Sequence, residues 1–98
     1  MTDHEQTIPL MNATEELVQG IVRFLLYGPE YPTYCHCEAC EAKVCAIALN
    51  HLQSHYVTTT ADREKAYMHL KQPAQMNEIN KQVIHAIHII GQNEHKKL

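Results

Sequence analysis

Four cysteines, Cys35, Cys37, Cys40 and Cys45, fall inside one run of eleven residues, CHCEACEAKVC, and the other 87 positions of this 98-residue chain contain none. Gaps of one, two and four residues strain a disulfide, whose Cα atoms sit about 4.4–6.8 Å apart with restricted dihedrals. A metal ion is easier to satisfy. Tetrahedral Zn²⁺ takes four thiolates at about 2.3 Å, and closely spaced cysteines are its usual signature. The spacing points to a structural zinc site with Cys35, Cys37, Cys40 and Cys45 as its ligands.

Cys45 is the ligand on which four-fold ligation turns. If regular helix already includes Cys40, five further residues carry Cys45 about 7.5 Å along the axis and round towards the far side. Four-thiolate ligation therefore requires the helix to start at or after Cys40. An earlier start leaves the fourth position to His36, to His51, to water or to a group from a partner. Cys45, between Val44 and Ala46, also reads as a small buried apolar side chain. The Cys37-x2-Cys40 pair resembles a disulfide-exchange motif, but the βαβ setting of that chemistry is missing. A catalytic zinc needs an open position and a nearby base. The carboxylates at hand, Glu38 and Glu41, read instead as solvated groups near the positive end of a helix dipole.

The rest of the chain is helical in pattern and short enough for one domain. Residues 1–11 read as an irregular segment, because Pro9 blocks a helix there. Asn12, with Glu15 three residues on, has the form of a capping box. The helix it opens carries Leu17, Val18, Ile21, Val22, Leu25 and Leu26 as a wide apolar stripe and stops near Gly28-Pro29. Tyr27, Tyr31 and Tyr34 are expected to cover the metal lobe. A second helix follows the cysteines, with Val44, Ile47, Ala48 and Leu52, and Tyr56 beyond, on one face. Tyr56 to Thr60 is β-branched and aromatic and predicts a short extended segment. Asp62 to Leu70 fits either a helical turn or the return strand of a hairpin. Pro73 breaks the chain before a last helix from about Ala74 to Ile90, ending at Gly91. Its apolar residues cover more than one face, so a second copy is expected to pack on it. Residues 92–98 read as a polar tail.

Composition narrows the function classes. Net charge is −3, with only eight lysines and arginines, a poor basis for neutralising phosphates, so no direct nucleic-acid binding is expected. The first residues lack the basic start and long apolar run of a signal peptide. No apolar run approaches the roughly 20 residues that cross a bilayer, so a cytoplasmic location without membrane attachment is expected. The pairs His85/His88 and His51/His55 have metal-binding spacing on a helix, but without a third ligand they read as surface or interface histidines. No phosphate loop, nucleophile elbow or paired-carboxylate motif occurs, and the chain is not expected to be an enzyme.

The run CHCEAC at 35–40, VCAIALN at 44–50 and Tyr56-Val57, in that order, resembles the signature of the ComFB family of late competence development proteins, over roughly residues 12–91. The resemblance implies a mainly α, small helical domain over 12–91, with a zinc-bound cysteine turn and a short extended segment or hairpin near 56–70. It further implies an accessory protein of the DNA-uptake programme of competent bacteria, similar to members that bind zinc through these cysteines and form homodimers. A protein of the competence machinery is the expected partner besides a second copy, and the homodimer is expected to form through the C-terminal helix. Other members resemble cyclic-dinucleotide receptors. That alternative has only Arg23 and Arg63 as arginines to work with here, and docking to the uptake machinery is the other.

Overall fold

A computed structural model of the chain describes residues 6–32 and 34–90. Six elements follow in order: β1 (Thr7–Asn12), α1 (Ala13–Leu26), α2 (Glu38–Leu49), β2 (Tyr56–Thr59), α3 (Thr60–Leu70) and α4 (Pro73–Ile90). The mainly α architecture with a short extended segment near 56 is as the sequence implied. The expectations for residues 1–5, for Gly91 and for the tail at 92–98 lie outside the described residues.

α2 lies between α1 and α4, and its buried side chains are small: Cys40, Val44, Cys45 and Ala48. Such residues let two neighbouring helices approach one helix from both sides. α1 contributes Val18, Val22 and Leu26 to the common core, and α4 contributes Ile79, Val83, Ala86 and Ile87. α3 closes one side through Ala66 and Leu70. Pro73 occupies the first turn of α4, where its missing N–H costs nothing and its fixed φ suits the helix.

Two parts of the sequence reading change. Thr7 to Asn12 is a strand rather than irregular chain, and it pairs antiparallel with β2. Pro9 does not prevent this. The register runs from Thr7↔Thr59 to Met11↔Val57, so the β1 side carries extra residues around the proline, and the irregularity absorbs its missing donor. β2 therefore finds its partner at the N-terminus. The segment after it forms α3, because Thr59 accepts a hydrogen bond from the Asp62 backbone N–H at 3.1 Å and so caps a helix there. α2 also stops at Leu49, which leaves Leu52 in the following turn and places Tyr56, exposed, on β2.

Asn12 joins the sheet to the helices. Its Oδ1 accepts from the Thr14 backbone N–H at 3.1 Å, capping α1, and from the His55 backbone N–H at 2.8 Å, just before β2. Buried Thr14 adds a hydrogen bond from Oγ1 to the Gln53 carbonyl at 2.9 Å. Glu15 takes no part in the cap and accepts from Gln19 instead. A second link runs from α1 to α3. Arg63 binds the Glu16 carboxylate through Nε (3.1 Å) and a terminal nitrogen (2.8 Å), and the Tyr67 hydroxyl donates to the same carboxylate. These bonds hold Glu16 below the usual carboxylate range, with the Arg63 hydrogen bond the largest cause. Burial first, and then the Glu16 bond, push Tyr67 up to about 12.

Replacing Asn12 with alanine removes a cap and strands the His55 N–H. We expect Asn12→Ala to cost about 2 kcal/mol, read in a thermal melt as a Tm lower by roughly 8–16 °C; an unchanged Tm would show that the side chain does not join the two segments. Because the folded Glu16 pKa lies below its unfolded value near 4.5, its contribution is present above that pH and fades as pH falls through the folded value. Glu16→Gln should therefore flatten the acid limb of a stability–pH curve, and an identical limb in both proteins would contradict the assignment.

Candidate metal centre

The first residue of α2 is Glu38, and Cys37 is the cap that precedes it, with extended backbone (φ −71°, ψ 166°). Its Sγ takes the place of a capping oxygen and accepts from the Cys40 backbone N–H at 3.4 Å. The Cys37 carbonyl accepts the first full turn of the helix, from Glu41 N–H at 2.9 Å. Cys35 lies two residues back on the approach to the helix, and Cys40 lies one turn on. Their sulfurs converge: the Sγ atoms of Cys35, Cys37 and Cys40 all lie within 4.8 Å of one another. Sulfurs tetrahedrally bound to one zinc are about 3.8 Å apart, as follows from bonds of about 2.3 Å. Small side-chain movements separate the two arrangements, so these three residues fit a divalent thiophilic ion.

Cys45 does not join them. The helix begins at Glu38, before Cys40, and Cys45 is a buried member of the hydrophobic core. Cys45 is one of the residues along an open groove of about 390 Å³ between α1 and α2, which Arg23 and Glu41 also line. Burial first, and then Glu41, push the Cys45 thiol up to about 11.

Neither His36 nor His51 is grouped with the three sulfurs. His36 turns to Tyr27, with ring centroids 4.4 Å apart. His51 follows the far end of α2, a helix of twelve residues and so about 18 Å long. Glu41 forms an ion pair with Arg23 of α1 at 2.6 Å, and Glu38 is exposed. Among the described residues no histidine or carboxylate joins the three sulfurs. The tyrosines divide as well. Tyr31 and Tyr34 pack edge to face at 5.0 Å, and His88 of α4 lies 5.8 and 6.1 Å from their rings, so α4 steadies the segment leading to Cys35. Tyr27 stays exposed. Of the histidine pairs read from spacing, His88 belongs to this aromatic cluster, and His55 faces His69 at 6.2 Å, a pairing that spacing did not reveal.

The electrostatics of the three thiols differ sharply. The Cys40 backbone N–H, with help from the Cys35 thiol, holds Cys37 down at about 6. Burial, and then the neighbouring Cys35 and Cys37, push Cys40 up to about 12. One sulfur is thus favoured as thiolate near neutral pH, whereas another favours its protonated form there. The N-terminus of α2, with its partial positive charge, faces the negative charge that ligation concentrates.

The model of the family described as late competence development protein ComFB matches residues 11–94. No curated protein and no solved structure matches the chain significantly. Among the described residues no helix is long and apolar enough to cross a membrane.

Ligation that displaces the Cys40 proton becomes tighter as pH rises. Competition with a chromophoric chelator should show zinc affinity increasing between pH 6 and pH 8, and a flat profile would contradict proton displacement. In the same assay Cys40→Ala should lose the metal. Cys45→Ala should retain it while lowering stability by about 1–2 kcal/mol.

Proposed function

This chain belongs to the ComFB family of late competence development proteins, and on that premise we propose that it is a non-enzymatic, zinc-binding accessory protein that works as a homodimer in the DNA-uptake programme. The observation that carries the reading is the convergence of Cys35, Cys37 and Cys40 at the first turn of α2. Zinc is the ion that suits such a set, since thiolates select it and it has no redox chemistry to damage them. When bound, it supplies a positive centre that cross-links the approach segment to the helix. The chain's own residues then do the rest: Cys37 caps the helix, Glu41 ties its first turn to α1 through Arg23, and His88 holds Tyr34 beside Cys35.

Two features support a binding role over a catalytic one. Glu41 is already committed to Arg23, and Glu38 points into solvent, so neither carboxylate stands ready as a general base beside the sulfurs. Dimerisation is supported by α4, which carries Ile84 and Ile89 at 41% and 46% exposure in addition to its buried stripe. These two flank the buried stripe about 140° apart, so a second copy packed beside either would cover apolar surface. A protein of the uptake machinery is the further partner that membership of the family suggests.

The test combines metal analysis with solution mass on protein purified without chelators. We expect one zinc per chain and twice the 11.3 kDa mass of a single chain, with Ile84→Glu shifting the mass towards that of one chain. A metal-free protein that refuses added zinc would remove the zinc reading, and a monomer at high concentration would remove the dimer.

A further inference from the structure

At the end of the molecule away from the cysteine turn, beyond the C-terminus of α2, a cavity of about 70 Å³ opens between the lead-in to β2, the end of α3 and the start of α4. His55, His69 and Glu78 line it together, and the two imidazole rings lie 6.2 Å apart between centroids, tilted by 62°. We propose that His55, His69 and Glu78 form a second metal site, separate from the cysteines, which takes a divalent transition ion such as zinc through two imidazole nitrogens and one carboxylate oxygen.

The backbone brings these donors together from three segments. His55 is the anchored one: its N–H donates to Asn12 Oδ1 at 2.8 Å, and its carbonyl accepts from the Ala13 N–H at 2.8 Å. His69 stands in the last turn of α3, and only Lys71 and Gln72 separate that helix from α4. The tight corner sets His69 beside the opening turns of α4, where Glu78 lies. One Glu78 oxygen accepts from Gln82 at 2.9 Å, which steadies the carboxylate and leaves its other oxygen for an ion. Donor chemistry sets the class of ion. Imidazole with carboxylate suits zinc, whereas calcium and magnesium take oxygen ligands. Zn–N bonds of about 2.0–2.1 Å in a tetrahedron put two imidazole centres about 5 Å apart, roughly 1 Å closer than here. The three donors are not gathered within 4.8 Å as the sulfurs are. His69 and Glu78 are exposed, however, and turn without disturbing the core. The cavity has room for a water to complete the coordination. Because binding must order exposed side chains, the site fills and empties with the supply of the ion. When filled, it cross-links the lead-in to β2 with α3 and α4.

Zinc titration of the full-length protein tests this, by calorimetry and by NMR of the imidazole nitrogens. After the cysteines have taken their ion, a second event of one zinc per chain should follow, with the ring signals of His55 and His69 shifting together and saturably. His55→Ala and His69→Ala should each lose that event, and Glu78→Gln should weaken it. His85→Ala, which removes an exposed histidine from α4, should leave it unchanged. Far-UV circular dichroism checks that the variants are folded, and the backbone hydrogen bonds of His55 survive the loss of its side chain. A lone event that disappears in both His55→Ala and His69→Ala also supports the proposal, and counts instead against zinc at the cysteines. The assignment is overturned by the absence of any event that depends on His55 and His69, or by one that falls equally in His85→Ala. A zinc-dependent rise in solution mass that requires His55 would overturn it too, because the ion would then lie between chains.

Discussion

The hydrogen bond from the Cys40 backbone N–H to the Cys37 sulfur closes the N-terminus of α2, and the position of that cap decides where every thiol goes. With helix from Glu38 onward, Cys40 stands one turn above the cap and faces Cys35 and Cys37. Cys45, five residues later, is carried along the helix and into the core. A start two or three residues later would have left Cys40 on irregular chain and given Cys45 another place. The same cap gives the thiols their unequal acidities, because a backbone donor stabilises the Cys37 thiolate while burial opposes that of Cys40.

The remainder of the fold holds this turn in place. α2 has neighbours on both sides, and its small buried residues make that close packing feasible. The Arg23–Glu41 pair fixes the first turn laterally, although a pair with so exposed an arginine adds little stability. The Tyr31–Tyr34–His88 cluster ties the approach segment to the last helix. At the other end of the molecule, Asn12 and Glu16 bind together segments that are far apart in sequence, so the small sheet and α3 stay attached to the three-helix core.

Much of this was legible in the residues, and the exceptions share a cause. α1 announced itself by its apolar stripe, by Asn12 and by Gly28-Pro29, all local signals. The clustered thiols marked a group that could hold a metal ion, and three of the four residues named for it converge. β1 was missed because Thr7 to Asn12 shows no clear alternation and contains a proline, and because its partner lies more than forty residues away. In the sequence, Asp62 to Leu70 stays open between a helical turn and a return strand for the same reason, since a strand says nothing about where its partner is, and in the structure it is helix. Arg63 and Tyr67 meet Glu16 across 47 and 51 positions, a separation at which spacing carries no information. For Cys45 the sequence stated a condition, the start of the helix, but could not say where that start falls.

The account stands on three sulfurs gripping one ion. Mass-spectrometric mapping of cysteine alkylation, on the native protein before and after a chelator, addresses that most directly. Cys35, Cys37 and Cys40 should resist the reagent together in the metal-loaded protein and become reactive together on chelation, while Cys45 stays slow in both because it is buried. Equal reactivity of the three with and without the chelator, or release of Cys45 in step with them, would contradict it.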